Sequence, residues 1–367
     1  MGKTPDGPIT GNRGEWSEIY AFLRLLCDGE LHGANADLSP DENQCLDVIR
    51  VARRHGASVF RGEILPDGSV ALWYNGARTV SRKELKSIVM LLLAKIKESP
   101  KGSGSFAEPG TEAFLRSIGC VAIKASPRDK KDLDVTVLDN HVGGEQTYGL
   151  SIKSELGASP TLLNATGATQ FEYEATGLDE AQARAIMAIT PETVGKRKWF
   201  LERAVALRES GARIRLVAVK KPAFRRNLLL LDDALPEILG EMLLVYTLNR
   251  KTSVAEACAH VAAQDPRGYG DPSLYTFKVR RFLRAVALGM EPGTPWQDSD
   301  EATGGYLIVT KEGELVAFYV YNRAKLDDYL FHATRFETPS TKRTDILNLR
   351  RVGDAWRFSL TLQIRFR

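Results

Sequence analysis

Apolar residues recur at helical intervals in EWSEIYAFLRLL (residues 15–26). Trp16, Ile19, Leu23 and Leu26 fall on one face, and Asp28-Gly29 ends the run. Residues 81–98 repeat that period behind Ser81, a good N-cap. Between them, residues 59–74 predict a hairpin turning at Pro66-Asp67-Gly68. The segment SPKGSGSFAEPG (residues 99–110) is a linker by composition and sets the first boundary. Beyond it the pattern predicts a helix over 111–118, strands over 121–125, 132–138 and 147–154, one amphipathic helix over 190–210 and a strand over 213–221. Residues 224–290 are mostly helical in period, and YLIVT, LVAFYVYN and WRFSLTLQIRF read as strands of the tail. There is no internal repeat. The fold class expected is α/β (α+β), with a mixed-sheet core at 105–222, an N-terminal helical and hairpin region at 1–104 and a helical and β-containing region at 223–367.

Composition narrows this only slightly. A chain of 367 residues has room for two domains, or one with an insertion. The net charge is +4, and the segment from Gly305 onward is basic and carries Tyr306, Tyr319, Tyr321, Tyr329, Trp356 and Phe366. Basic groups among aromatics suit a phosphate-backbone surface, although a sheet with one solvated face has a similar composition. Cys27, Cys45, Cys120 and Cys258 lie far apart with no CxxC spacing, so they read as small buried hydrophobes, not as a zinc site or disulfide frame. The N-terminus has no signal-peptide pattern, and the longest apolar run, residues 88–94, is too short for a bilayer. A soluble, cytoplasmic protein is expected.

The chemistry is concentrated in two strands. In DLDVTVLD, Leu133, Val135 and Val137 point one way, and Asp132, Asp134 and Thr136 the other. In GLSIKS, Leu150, Ile152 and Ser154 share a face, and Ser151 and Lys153 share the opposite one. A hairpin with Gly143-Gly144 at its turn brings the polar faces together. An acid beside a lysine suits metal-dependent phosphodiester hydrolysis: the carboxylate ligates a hard cation, and the ammonium orients water and offsets charge on phosphorus. A second carboxylate is needed. The plain alternatives are a solvated strand lysine and an aspartate that caps the turn after RDKK. His141, in the turn, has no ligand at metal spacing beside it. Gly102-Ser103-Gly104 lacks a following Gly-Lys-Ser/Thr, so no nucleotide cofactor is expected.

These strands resemble the PD-(D/E)xK nucleases, with one departure: Ser151 stands where that pattern has an acid. The blocks SIKSELGASPTLLNATGATQFEYE, GNRGEWSEIYAFLRLL and GGYLIVTKEGELVAFYVYNRAKLDDYL resemble, in order and spacing, the HpaII-type family of type II restriction endonucleases, from about Gly11 to Arg367. The resemblance implies a restriction-endonuclease-like core, Mg²⁺ dependence, and cleavage of double-stranded DNA at a short palindromic CCGG-like site within a restriction-modification system. Lys153 matches the motif lysine, Asp132 the acid that starts the preceding strand, and Ser151 the family's serine. Asp134 competes with Asp132. Glu15 and Glu18 are the first choices for the missing carboxylate, ahead of Glu155, Glu172 and Glu174. Glu15 also suits a helix N-terminus simply as a charge.

For DNA contact the sequence offers Asn164, Thr169 and Gln170, then, in the region 223–367 that is the candidate for DNA recognition, Asn322, Arg323, Arg335, Ser340, Lys342 and Arg343. Lys278, Arg280, Arg281 and Arg284 form a second basic set. Palindromic targets favour a homodimer, with a monomer nicking each strand in turn as the alternative. The rival functions are a structure- or modification-dependent nuclease and a DNA-binding protein that kept the fold without cleavage.

Overall fold

The computed structural model describes residues 7–55, 58–99, 104–123, 131–139, 143–195, 198–298, 302–319, 322–340 and 346–367. Helices and mixed sheets make it an α+β protein. The chain divides into two units, Met1–Pro160 with Asp300–Leu326, and Thr161–Ser299 with Asp327–Arg367. The boundaries expected near 104 and 222 fall inside the first and second unit respectively. Among the described residues no helix is long and apolar enough to cross a membrane.

In the first unit, Asn12 and Glu15 close a capping box that starts the helix Arg13–Asp28, and Gly29 ends it in the left-handed region at φ 75°. Trp16, Ile19, Tyr20, Phe22, Leu23, Leu25 and Leu26 are all fully buried. The helix is therefore enclosed on several sides, not on the single stripe its period suggested. The Trp16 indole donates to the Phe106 carbonyl at 3.0 Å, and Phe106–Ala107 pairs with Thr10–Gly11 just ahead of the helix. Tyr20 donates to the Gly313 carbonyl at 2.5 Å. The second helix, Arg82–Glu98, is capped by Ser81 as expected.

The sheet around this core has nine strands. Their order is Glu30–Ala34, Leu315–Tyr319, Gly305–Val309, Glu145–Ser154, Leu133–Leu138, Pro40–His55, Ser58–Ile64, Val70–Trp73 and Ala77–Val80. Glu30–Ala34 also pairs with Pro40–His55, which closes six of these strands into a ring. Two pairings are parallel, Gly305–Val309 beside Glu145–Ser154 and Leu315–Tyr319 beside Glu30–Ala34; the rest are antiparallel.

The second unit has a four-stranded sheet in the order Arg213–Val219, Gln170–Thr176, Ala355–Thr361, Arg350–Val352, together with a three-stranded sheet and the helices between Glu180 and Leu288. Several local expectations change here and in the linker region. The expected helix over 190–210 is two helices, Pro191–Val194 and Trp199–Glu209, because Gly195 takes φ 93°. Residues 121–123 form no strand, and 124–125 lie outside the described residues. Within the mixed-sheet core expected at 105–222, Arg213–Val219 pairs with Gln170–Thr176, not with the strands that carry Asp134 and Lys153. The neighbour of the lysine strand is Gly305–Val309, a pairing so distant in sequence that local order gives no sign of it.

Because Trp16 fills the core and satisfies the Phe106 carbonyl, Trp16→Ala should cost about 3–5 kcal/mol. Urea unfolding followed by tyrosine and tryptophan fluorescence will show this as an earlier transition of the first unit.

Candidate active site

Pairing between the acid strand, Leu133–Leu138, and the lysine strand, Glu145–Ser154, sets the geometry. Their register runs from Leu133 opposite Leu150 to Leu138 opposite Glu145. Leu133, Val135, Val137 and Leu150 are buried, while the Thr136 and Thr147 hydroxyls meet at 2.8 Å. Gly143 and Gly144, at φ 75° and 110°, lie in the connection, where Asp139 N–H donates to the Gly144 carbonyl at 3.0 Å.

One residue before the acid strand, Asp132 N–H donates to the Leu150 carbonyl at 2.9 Å. Its carboxylate Oδ2 accepts from Ile152 N–H at 2.6 Å and from Ser151 Oγ at 3.3 Å. Ser151 Oγ in turn accepts from Lys153 Nζ at 3.0 Å. The hydroxyl thus links acid and amine, donating to one and accepting from the other. The ammonium also stands 4.9 Å from the ring centre of Tyr306, which pairs with Ser151 across the parallel strands. No described residue hydrogen-bonds Asp132 Oδ1.

The first helix brings a second carboxylate. Glu15 Oε2 accepts from Asn12 N–H at 2.8 Å as half of the capping box, so this carboxylate is committed to the helix start. One turn on, Glu18 Oε2 accepts from Arg53 at 2.5 Å. Arg53 is 2% exposed and also donates to the Ile123 carbonyl at 2.8 Å. Burial pushes the Glu18 carboxyl above its ordinary range; the Arg53 charge opposes this, and the charges of Asp132 and Glu15 add to it. The dependence on Asp132 marks the two acids as electrostatic neighbours. Ser154 donates to Ser17 at 2.9 Å, which fixes the helix on the end of the lysine strand. A cavity of about 280 Å³ opens there, lined by Asn12, Arg13, Glu18, Lys153 and Gly157 among others. Arg13, buried, donates to the carbonyls of Leu156, Ser99 and Lys97 and closes the rim.

Asp132, Ser151, Lys153 and Glu18 therefore gather in one place. Asp134 does not join them: it pairs with Lys131 at 2.6 Å and lines a separate cavity with Arg50, Arg61, Trp73 and Thr136. Glu172 and Glu174 lie in the second unit, where Arg357 faces both and Arg215 pairs with Glu174 at 2.7 Å. Sequence reasoning missed Arg53 and Tyr306. Arg53 left a trace, since strand alternation puts it on the side of Val51, 1% exposed.

The expected DNA contacts scatter. Asn164 and Arg323 are exposed, Asn322 precedes the helix Arg323–Ala333, and Ser340 is exposed. Thr169 is fully buried, with its hydroxyl donating to the Thr166 carbonyl, so it presents no group to a ligand. Gln170 begins a strand opposite Thr361, and Arg335 lies 3.6 Å from Glu337. In the second basic set Lys278 pairs with Asp232, Arg280 with Asp328 and Arg284 with Asp327, while Arg281 lies over Phe277. Those three charges are neutralised locally. His141, Lys342 and Arg343 lie outside the described residues.

A family model described as HpaII restriction endonuclease matches residues 12–366. The type II restriction enzyme HpaII of Haemophilus parainfluenzae is 33% identical over 366 residues, covering 98% of this chain and 99% of that protein. No solved structure matches the chain.

The raised pKa of Glu18 has a signed consequence. A folded state that holds the proton more tightly than the unfolded chain is stabilised below the unfolded value of 4.5, and loses that contribution as pH rises through the folded value. Ionised Glu18 thus costs stability at pH 8, whereas Gln keeps an oxygen for Arg53 without the charge. Glu18→Gln should melt at the same temperature as the parent or higher at pH 8, with the gap closing near pH 4. A lower melting temperature at pH 8 contradicts this.

Proposed function

The chain belongs to the HpaII restriction endonuclease family and is a type II site-specific endonuclease; on that premise we propose that Asp132, Glu18, Lys153 and Ser151 form its hydrolytic centre, with Mg²⁺ as the cofactor. The observation that carries this reading is the Asp132–Ser151–Lys153 hydrogen-bond chain with Glu18 beside it. The donors fit a hard divalent cation: Asp132 Oδ1 and Glu18 Oε1 are carboxylate oxygens with no hydrogen bond from a described residue, and Arg53 engages only Glu18 Oε2. When bound, the ion lowers the pKa of its water and polarises the phosphoryl oxygen.

The chain's own residues do the rest. Lys153 orients the attacking water and offsets charge that builds on the phosphate. Ser151 holds the amine next to Asp132, whereas an acid at this position, as in the PD-(D/E)xK pattern, would be a further carboxylate for the metal. Glu18 takes over as the second acid, and Arg53 fixes its carboxylate against the Ile123 carbonyl. Arg53 is too deeply buried to reach DNA, so its part is to position Glu18. Exposed Asn164, Arg323 and Ser340 are suited to meet the duplex. The target we propose is a CCGG-like palindrome, cut by a two-fold dimer in the cytoplasm.

Digestion of a defined duplex library with and without Mg²⁺, followed by end sequencing, tests the whole reading. Cleavage should need Mg²⁺ and give uniform ends at a short palindrome. Asp132→Asn, Lys153→Met and Glu18→Gln should each lose about 10²–10³-fold or more, while Glu15→Gln and Asp134→Asn should stay within about tenfold. Full activity in Asp132→Asn, or loss confined to Asp134→Asn, would move the centre elsewhere.

A further inference from the structure

A second group of metal-binding side chains lies on another part of the first unit. Glu30 and His32 are on one strand at i and i+2, hence on the same face, and Cys45 sits directly opposite His32 on the antiparallel strand Pro40–His55. Cys45 Sγ is 3.7 Å from His32 Nε2 and 3.8 Å from a Glu30 oxygen, and the other Glu30 oxygen is 3.5 Å from Nε2. Tetrahedral zinc, with bonds of about 2.3 Å to sulfur and about 2.0–2.2 Å to nitrogen and oxygen, separates its ligand atoms by about 3.3–3.6 Å. With one oxygen taken from Glu30, the three ligand atoms all lie within 4.8 Å of one another, near the spacing of one face of such a tetrahedron.

We propose that Glu30, His32 and Cys45 bind a zinc-class divalent cation, with the fourth position open to water. The ligand set of thiolate, imidazole and carboxylate favours Zn²⁺ over Mg²⁺. It is a different ion from that at Asp132, since Cys45 and Arg53 lie eight residues apart on one strand, about 26 Å at strand rise. Cys45, unlike Cys27, Cys120 and Cys258, is exposed, so solvent and ion reach it. Partial desolvation and the nearby Glu30 and Asp47 carboxylates push its thiol pKa up. Those same carboxylates attract a cation, and as the sulfur–metal bond forms the proton leaves to solvent.

One feature limits the affinity. His32 Nδ1 is buried with no partner among the described residues, and metal on Nε2 puts the proton on that nitrogen. The site is therefore weaker by about ten- to a hundredfold than one whose imidazole is backed by an acceptor, which suits a reversible occupant. Its position gives it a structural effect. Glu30–Ala34 closes the ring of strands, and its pairing with Pro40–His55 shifts register between His32 and Gly33. An ion held across His32 and Cys45 pins the ladder next to that irregularity.

Cobalt titration of the metal-stripped full chain, without Mg²⁺, tests the proposal, because a thiolate–Co²⁺ bond gives a near-ultraviolet charge-transfer band and tetrahedral coordination gives strong visible bands. The expected result is one such Co²⁺ per chain, displaced by Zn²⁺, and a rise in melting temperature on Zn²⁺ addition. Cys45→Ser should lose the band while keeping the parent circular dichroism. Glu30→Gln should keep the band but bind at least about tenfold more weakly. Asp132→Asn should bind as the parent does. No thiolate band in the parent chain, a band unchanged in Cys45→Ser, or a band lost in Asp132→Asn would each overturn the proposal.

Discussion

Everything at the proposed hydrolytic centre depends on a clasp between Asp132 and the backbone of the lysine strand. Asp132 donates its own N–H to the Leu150 carbonyl and accepts the Ile152 N–H on its carboxylate, so backbone and side chain fix the same register. A slip of one residue would reverse every face of the pair. It would expose the row of Val135, Val137 and Leu150 to solvent and part the acid from Ser151 and Lys153. The apolar face and the polar site are thus two consequences of one pairing, and the burial of the first holds the geometry of the second.

The second acid reaches the site by a different route, on a helix packed between the sheet and the helix Arg82–Glu98. Full burial of Phe22, Leu23, Leu25 and Leu26 leaves the helix no freedom to withdraw Glu18, and the Ser17–Ser154 contact ties it to the lysine strand. Placing a carboxylate so deeply is unfavourable, as its raised pKa records. Arg53 offsets only part of that cost. Such a carboxylate is ready to bind a cation because its surroundings hold it poorly solvated and beside another acid.

The legible part of this arrangement was the local part. Alternation in DLDVTVLD and GLSIKS, the Gly143-Gly144 turn and the Ser81 cap of the second helix are short-range signals, and the structure follows each of them. What could not be read were pairings between segments far apart. The strand that flanks Ser151 and Lys153 comes from Gly305–Val309, and the partner of Arg213–Val219 is Gln170–Thr176. The break at Gly195 was overlooked because the flanking residues keep a helical period. Glu15 and Glu18 looked alike in sequence; only the capping bond to Asn12 and the pairing with Arg53 separate them. Cys45 was read as a core residue because its neighbours His32 and Glu30 form no recognisable spacing with it, and only strand pairing joins them.

The most direct test of the central claim is where a divalent ion sits. A crystal of the protein soaked in Mn²⁺ should give an anomalous difference peak within coordination distance of Asp132 and Glu18, with Lys153 nearby and Asp134 still paired with Lys131. A peak held by Asp134, or no peak at Asp132 while the crystal still cleaves bound DNA, would contradict the account.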